Sequence, residues 1–181
     1  MPGSDGIQVA IQVPLAFIRV VGRGSFKISA SLKEFALHAL DAGCRRVVLD
    51  MTECVGMDST FMGVLAGLAF RLRGVPEGRI VIVNLNARTR GLLATLGLDE
   101  AVETHMAGAT PADLEPLLAR GGPLTELPAE ERGQAETART MLEAHENLVR
   151  LSPENLPKFK DVLTFLREDL KKSGGTAPGV R

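Results

Sequence analysis

Tryptophan and tyrosine are absent from this 181-residue chain, and only seven phenylalanines supply aromatic surface. Single-stranded nucleic acids lie on platforms built from such rings, so that class of function is excluded. An excess of positive charge is missing too: 21 basic residues stand against 22 acidic ones, with a net charge of −1 and a pI of about 6.3. Neither nucleic acid nor an anionic membrane finds an electrostatic footprint. Long apolar runs are also lacking. The longest, Phe61 to Phe70, stops at Arg71 after ten residues, about half of the roughly 20 that span a bilayer. The opening MPGSDGIQVA has no basic region leading into an apolar one, so no signal peptide is expected. Two cysteines, Cys44 and Cys54, are too few for a disulfide framework or a metal site. They read as reduced thiols in a cytoplasmic protein, Cys44 as a small core residue.

What the chain does contain is 45% apolar residues, enough for a core. IQVAIQVPLAFIRVVGRG (7–24) reads as two short strands joined at Pro14. SLKEFALHALDAG follows as a helix, with Ser31 and Glu34 as a capping box and Gly43 as the stop. RRVVLDM (45–51) and RIVIVNL (79–85) are near-continuous Val/Ile/Leu runs, the pattern of strands covered on both faces. Between them, MTECVGMDSTFMGVLAGLAFRLR turns from strand end to apolar helix. Asn86 caps a helix ended by Gly97, DEAVETHM holds an edge strand, and a last helix starts close to Asp113. These elements predict an α/β domain over about 7–120, with a central mixed sheet of four to five strands flanked by about four helices. A Gly/Pro linker (121–131) leads to two amphipathic helices, a hairpin over 132–172, and a disordered tail from 173. Asn155 is the expected cap of the second helix.

Catalysis fails for want of parts. His38, His105 and His145 fall in three separate elements without partners at metal-ligand spacing, so no metal or other cofactor is expected. Ser59 sits in M-D-S-T-F, not in a nucleophile elbow. GRGSFK (22–27) follows a strand but lacks the Lys-Ser/Thr ending of a P-loop, and Lys27 stands where a third glycine would be. It reads as a turn, and nucleotide binding stays a minor alternative.

Ser59 remains, and two readings of it stay open. It is an N-cap, or it is a group whose modification matters. Phe61 and Met62 open the helix and would place large apolar side chains at the surface beside the hydroxyls. Gly63 and Gly67, four apart on one face, each weaken the helix by about 1 kcal/mol. They make sense where something packs closely, either the domain's own sheet or a partner. A phosphate on Ser59 would meet free N–H groups and the positive helix pole.

VVLDMTECVGMDSTFMGVLAGLAFRLR resembles the central motif of the STAS domain found in anti-sigma-factor antagonists, and GRIVIVNLNARTRGLLATLGLDEAV continues the likeness. The resemblance implies a non-enzymatic, bacterial, cytoplasmic binding module that regulates transcription indirectly. Ser59 occupies the position that a cognate serine kinase, itself the anti-sigma factor, phosphorylates, and Thr60 is the alternative acceptor. Asp58, Thr60, Phe61 and Met62 form the partner-binding surface, and a phosphatase would reset the switch. Phe61 departs from the family, which usually has glycine there. The second hypothesis is a non-phosphorylated adaptor or scaffold subunit using its C-terminal helices, which fold back on the domain, form a homodimer or dock a partner.

Overall fold

The computed structural model describes residues 4–119 and 123–173. A hairpin of β1 (Gly6–Gln12) and β2 (Leu15–Gly24) leads into helix α1 (Phe26–Asp41). Then follow β3 (Arg46–Asp50), β4 (Cys54–Met57), α2 (Ser59–Arg73), β5 (Arg79–Leu85), α3 (Ala87–Thr95) and β6 (Glu103–Met106). Short helix α4 (Glu115–Ala119), strand β7 (Thr125–Pro128) and helices α5 (Gln134–Leu151) and α6 (Leu156–Lys172) complete the chain.

The sheet is mixed, in the order β6-β5-β3-β2-β1-β7, with β4 branching off to pair with the end of β2. Strands β2, β3, β5 and β6 run parallel, and β1 and β7 are antiparallel additions at one side. The continuous apolar runs of β3 and β5 are buried on both faces. Ile18, Val47, Leu49, Ile80 and Ile82 join the main core under α1 and α2. Phe17, Val48, Val81 and Val83 pack with Leu114 in a second cluster. The expected α/β architecture is therefore present, and the hairpin of 132–172 is helical as α5 and α6.

Several local expectations give way. Helix α1 begins six residues earlier than the Ser31/Glu34 box implies, at Phe26 rather than Leu32. Its cap is Ser25, whose hydroxyl oxygen accepts from Lys27 N–H at 3.2 Å. Ser31 is buried inside the helix, while Glu34 faces Arg132. GRGSFK is accordingly a strand end and a helix cap. The sheet has seven strands rather than the expected four to five, β4 and β7 being the additions. β7 lies inside the predicted 121–131 linker and pairs with β1 from Gly6↔Pro128 to Val9↔Thr125. Asn155 does not cap the start of α6 with its side chain. Its Nδ2 instead donates to the carbonyls of Leu96 (3.0 Å) and Leu148 (2.8 Å), tying the turn between α5 and α6 to the end of α3. Residues 174–181 of the predicted tail, and 121–122 of the predicted linker, lie outside the described residues.

Candidate functional site

Strand β4 delivers the chain to the DST segment. Asp58 N–H donates to Gly24 carbonyl at 2.8 Å, which fastens the loop to the end of β2. Its carboxylate then divides between two helices. Oδ1 accepts from Phe61 N–H at 2.9 Å, the N-cap of α2, and Oδ2 accepts from Phe26 N–H at 2.7 Å, at the start of α1. One side chain thus satisfies orphan donors of two helix starts. Asp58, rather than Ser59, is the cap of α2.

This frees Ser59, the first residue of the helix. Its hydroxyl lies 2.8 Å from Nε2 of His145 on α5. The opposite ring nitrogen, Nδ1, is 2.6 Å from the Met141 carbonyl, which can only accept. Nδ1 therefore carries a proton, and in the neutral ring Nε2 accepts from the Ser59 hydroxyl. His145 is only 3% exposed, with the Phe159 ring edge-on at 4.9 Å.

The α2 face below Ser59 is occupied by the same helix. A methyl group at Gly63 would overlap the backbone of Ala144, and one at Gly67 would collide with the Asn147 side-chain amide. Arg150 stacks on the Phe70 ring at 4.4 Å. The two glycines thus serve close packing by the chain's own C-terminal helix. Around this seat, Lys33 pairs with Glu143 at 2.7 Å. Arg132 forks onto Glu34 at 2.6 and 3.1 Å, and its hydrogen bonds hold the Glu34 carboxyl below the usual range.

The remaining predicted residues are placed differently from the expectation. Phe61 (0% exposed) and Met62 (4%) lie in the main core, not at the surface. Phe61 packs against the end of β2 so closely that a methyl on Gly24 would sit 2.9 Å from its ring. That explains a large apolar residue at this position: it anchors the helix start. Thr60 is also buried, so Asp58 and Ser59 are the half-buried members of the set. His145 lies 86 residues from Ser59 in the chain, so no local spacing pairs the two. A signal existed, since Ala138, His145 and Leu148 fall on one helical stripe.

Serine, histidine and an orienting acceptor also form the geometry of an activated nucleophile. The cleft between α1, α2 and α5 is lined by Lys33, Leu37, Phe70, Glu143 and Asn147 among others, and Ser59 is not part of it. Among the described residues no His/Cys/Asp/Glu cluster is arranged to hold a metal ion, and no helix is long and apolar enough to cross a membrane.

A second polar cluster lies at the end of β3. Asp50, 2% exposed, accepts from Arg19 Nε (3.0 Å), Asn84 Nδ2 (2.8 Å) and Thr52 N–H (3.0 Å). Burial disfavours its charge most strongly, yet the hydrogen bonds from Thr52, Asn84 and Arg19 together outweigh burial and lower its pKa. Cys44 and Cys54 are free and buried, and burial pushes both thiols up.

Comparison with known proteins gives a consistent picture. A search of curated proteins finds no significant match. Among solved structures, the chain is similar to a crystal structure described as a putative anti-sigma factor antagonist (TM1081) from Thermotoga maritima. The identity is 15%, with a TM-score of 0.51 over 63% of this chain and 94% of that one. It is also similar to the Bacillus cell fate determinant SpoIIAA in its phosphorylated form, at 19% identity and a TM-score of 0.48, covering 63% and 97%. At 15% identity the likeness to TM1081 is one of fold. The family model described as "Mlab, STAS domain" matches residues 7–106, more than half of the chain and the whole run from β1 to β6. With a strand–loop–helix centred on Asp58 and Ser59 inside that match, the chain belongs to the STAS-domain family.

Proposed function

We propose that this chain is a phosphorylation-switched protein–protein interaction module of the anti-sigma-factor-antagonist kind, without catalysis of its own. Ser59 is the acceptor. In the unmodified state the surface around Asp58 and Ser59 binds an anti-sigma serine kinase in the bacterial cytoplasm. The Ser59 oxygen attacks the terminal phosphorus of a nucleoside triphosphate held by that kinase. An O–P bond forms, the bond to the nucleoside diphosphate breaks, and the hydroxyl proton passes to a base. The modified chain releases the kinase, and a phosphatase restores it.

The observation that carries this reading is the division of labour at the helix start. Asp58 takes the capping role, which leaves Ser59 half-buried at the positive pole of α2 with its oxygen free of any backbone duty. A dianion at that pole is electrostatically favoured. Phosphate transfer from an anti-sigma-type serine kinase of the same organism, followed by mass spectrometry, tests the reading. Wild type should carry one phosphate on Ser59 and Ser59→Ala none. Equal labelling of the two would overturn the assignment, and Thr60, being buried, would then need an opened loop.

The outer face of the hairpin favours a second reading, an adaptor that assembles through α6. Phe165 is 66% exposed and Val162 37%, beside an apolar groove shared with Met141 and Leu166. Light scattering distinguishes the two. A mass of 19.3 kDa removes the homodimer, whereas twice that mass, abolished by Phe165→Asp, supports it.

A further inference from the structure

The α5–α6 hairpin lies beyond the 7–106 segment matched to the family, yet it is seated on the helix that carries Ser59. The seat has two parts. One is steric: the backbone of Ala144 and the amide of Asn147 fill the space that side chains at Gly63 and Gly67 would need, and Asn147 Nδ2 donates to Gly63 carbonyl at 3.4 Å. The other is a single proton. His145 is buried, its Nδ1–H is committed to Met141 carbonyl, and its Nε2 acceptor is satisfied by the Ser59 hydroxyl at 2.8 Å. A buried acceptor deprived of its donor is costly, so seating of the hairpin is coupled to the state of that hydroxyl.

We propose that the α5–α6 hairpin is an intramolecular latch that seats beside the half-buried, unmodified Ser59, leaving its outer side open to a kinase, and that opens when Ser59 is phosphorylated. The inference rests on Ser59 being the acceptor. An ester oxygen has no proton to donate, and the phosphate brings up to two negative charges against a ring that is only 3% exposed, where withdrawing them from water is costly. The Phe159 ring lies edge-on against His145 at 4.9 Å. Helix α2 tolerates the charge at its N-terminus, so the hairpin leaves while the STAS domain stays folded. Release uncovers the Ser59–Gly63–Gly67 face of α2 and the His145–Leu148 face of α5, which turns a local charge into a change of surface that a partner reads.

The test needs no kinase. Full-length chain carrying phosphoserine at position 59, introduced during translation, is compared with unmodified chain and with Gly63→Ala by amide hydrogen exchange. Gly63→Ala is the steric control, since alanine favours α2 itself but drives into Ala144. The amides of α5 should exchange at least ten-fold faster in both altered chains, while those of β3 and β5 keep their protection. Retained α5 protection in the phosphoserine chain, with protection lost in Gly63→Ala, overturns the latch. Retained protection in both overturns the seat as well. Because exchange is read without a kinase, a failed latch leaves the acceptor assignment standing, and an unphosphorylated Ser59 leaves the exchange result standing.

Discussion

At the residue scale, Asp58 and Ser59 have exchanged the roles that their neighbourhood suggests. Either oxygen could cap α2, since both residue types are preferred at an N-cap. The carboxylate wins because its second oxygen also reaches the start of α1, a service a hydroxyl cannot give. Asp58→Ala should therefore cost about 2 kcal/mol, about twice a typical single cap, measured by chemical denaturation. A cost no larger than that of Ser59→Ala would refute the double cap. Asp50 offers a prediction of the opposite kind. Asp50→Asn places an amide before donors from Arg19 and Asn84, and should destabilise by about 3 kcal/mol, as breaking a buried pair does. The pH dependence follows from its lowered pKa. The native carboxyl holds its proton less tightly than the unfolded one. Its contribution is complete above about pH 4, the ordinary carboxylate range, and is lost as pH falls through the depressed native value. Stability should thus fall more steeply with acid in wild type than in Asp50→Asn. Neither the double cap nor the Asp50 cluster was legible in the sequence, because each depends on partners 31 to 34 residues away.

At the scale of elements, periodicity carried most of the reading. β3, β5, α3 and β6 stand where apolar runs and the Asn86 cap placed them, since their signals are local. β4 and β7 were hidden, being strands of four residues whose pairing partners are distant. The start of α1 was misplaced for a similar reason: Ser31 and Glu34 mimic a capping box, but Phe26 N–H finds its acceptor on Asp58. In the hairpin, Asn155 looked like a cap and is instead a buried clamp with two carbonyl partners, 1% exposed. Asn155→Ala should leave the Leu96 carbonyl without its amide donor and Leu148 with the Ser152 N–H alone, and cost about 2 kcal/mol. A thermal melt in which this variant matches wild type would show that the clamp carries no stability. His145 joins the site only because the fold sets α5 against α2.

At the scale of the whole molecule, the glycines of α2 connect the STAS domain to its C-terminal extension. Gly63 and Gly67 weaken α2 by about 1 kcal/mol each relative to alanine, and the close approach of α5 is what they permit. Ala144 and Leu148 join the main core, so the extension completes the domain's packing. A chain ending after Ala129, which keeps β7, should lose at least about 3 kcal/mol, on the scale of emptying a large buried site. Unchanged stability would mean that the hairpin only rests on the surface. The central claim is that the chemical state of Ser59 decides partner binding. It is tested most directly by titrating an anti-sigma-type serine kinase of the same organism against two full-length chains, one unmodified and one carrying phosphoserine at position 59. The account predicts binding at least ten-fold weaker for the phosphoserine chain, and equal affinity for the two would contradict it.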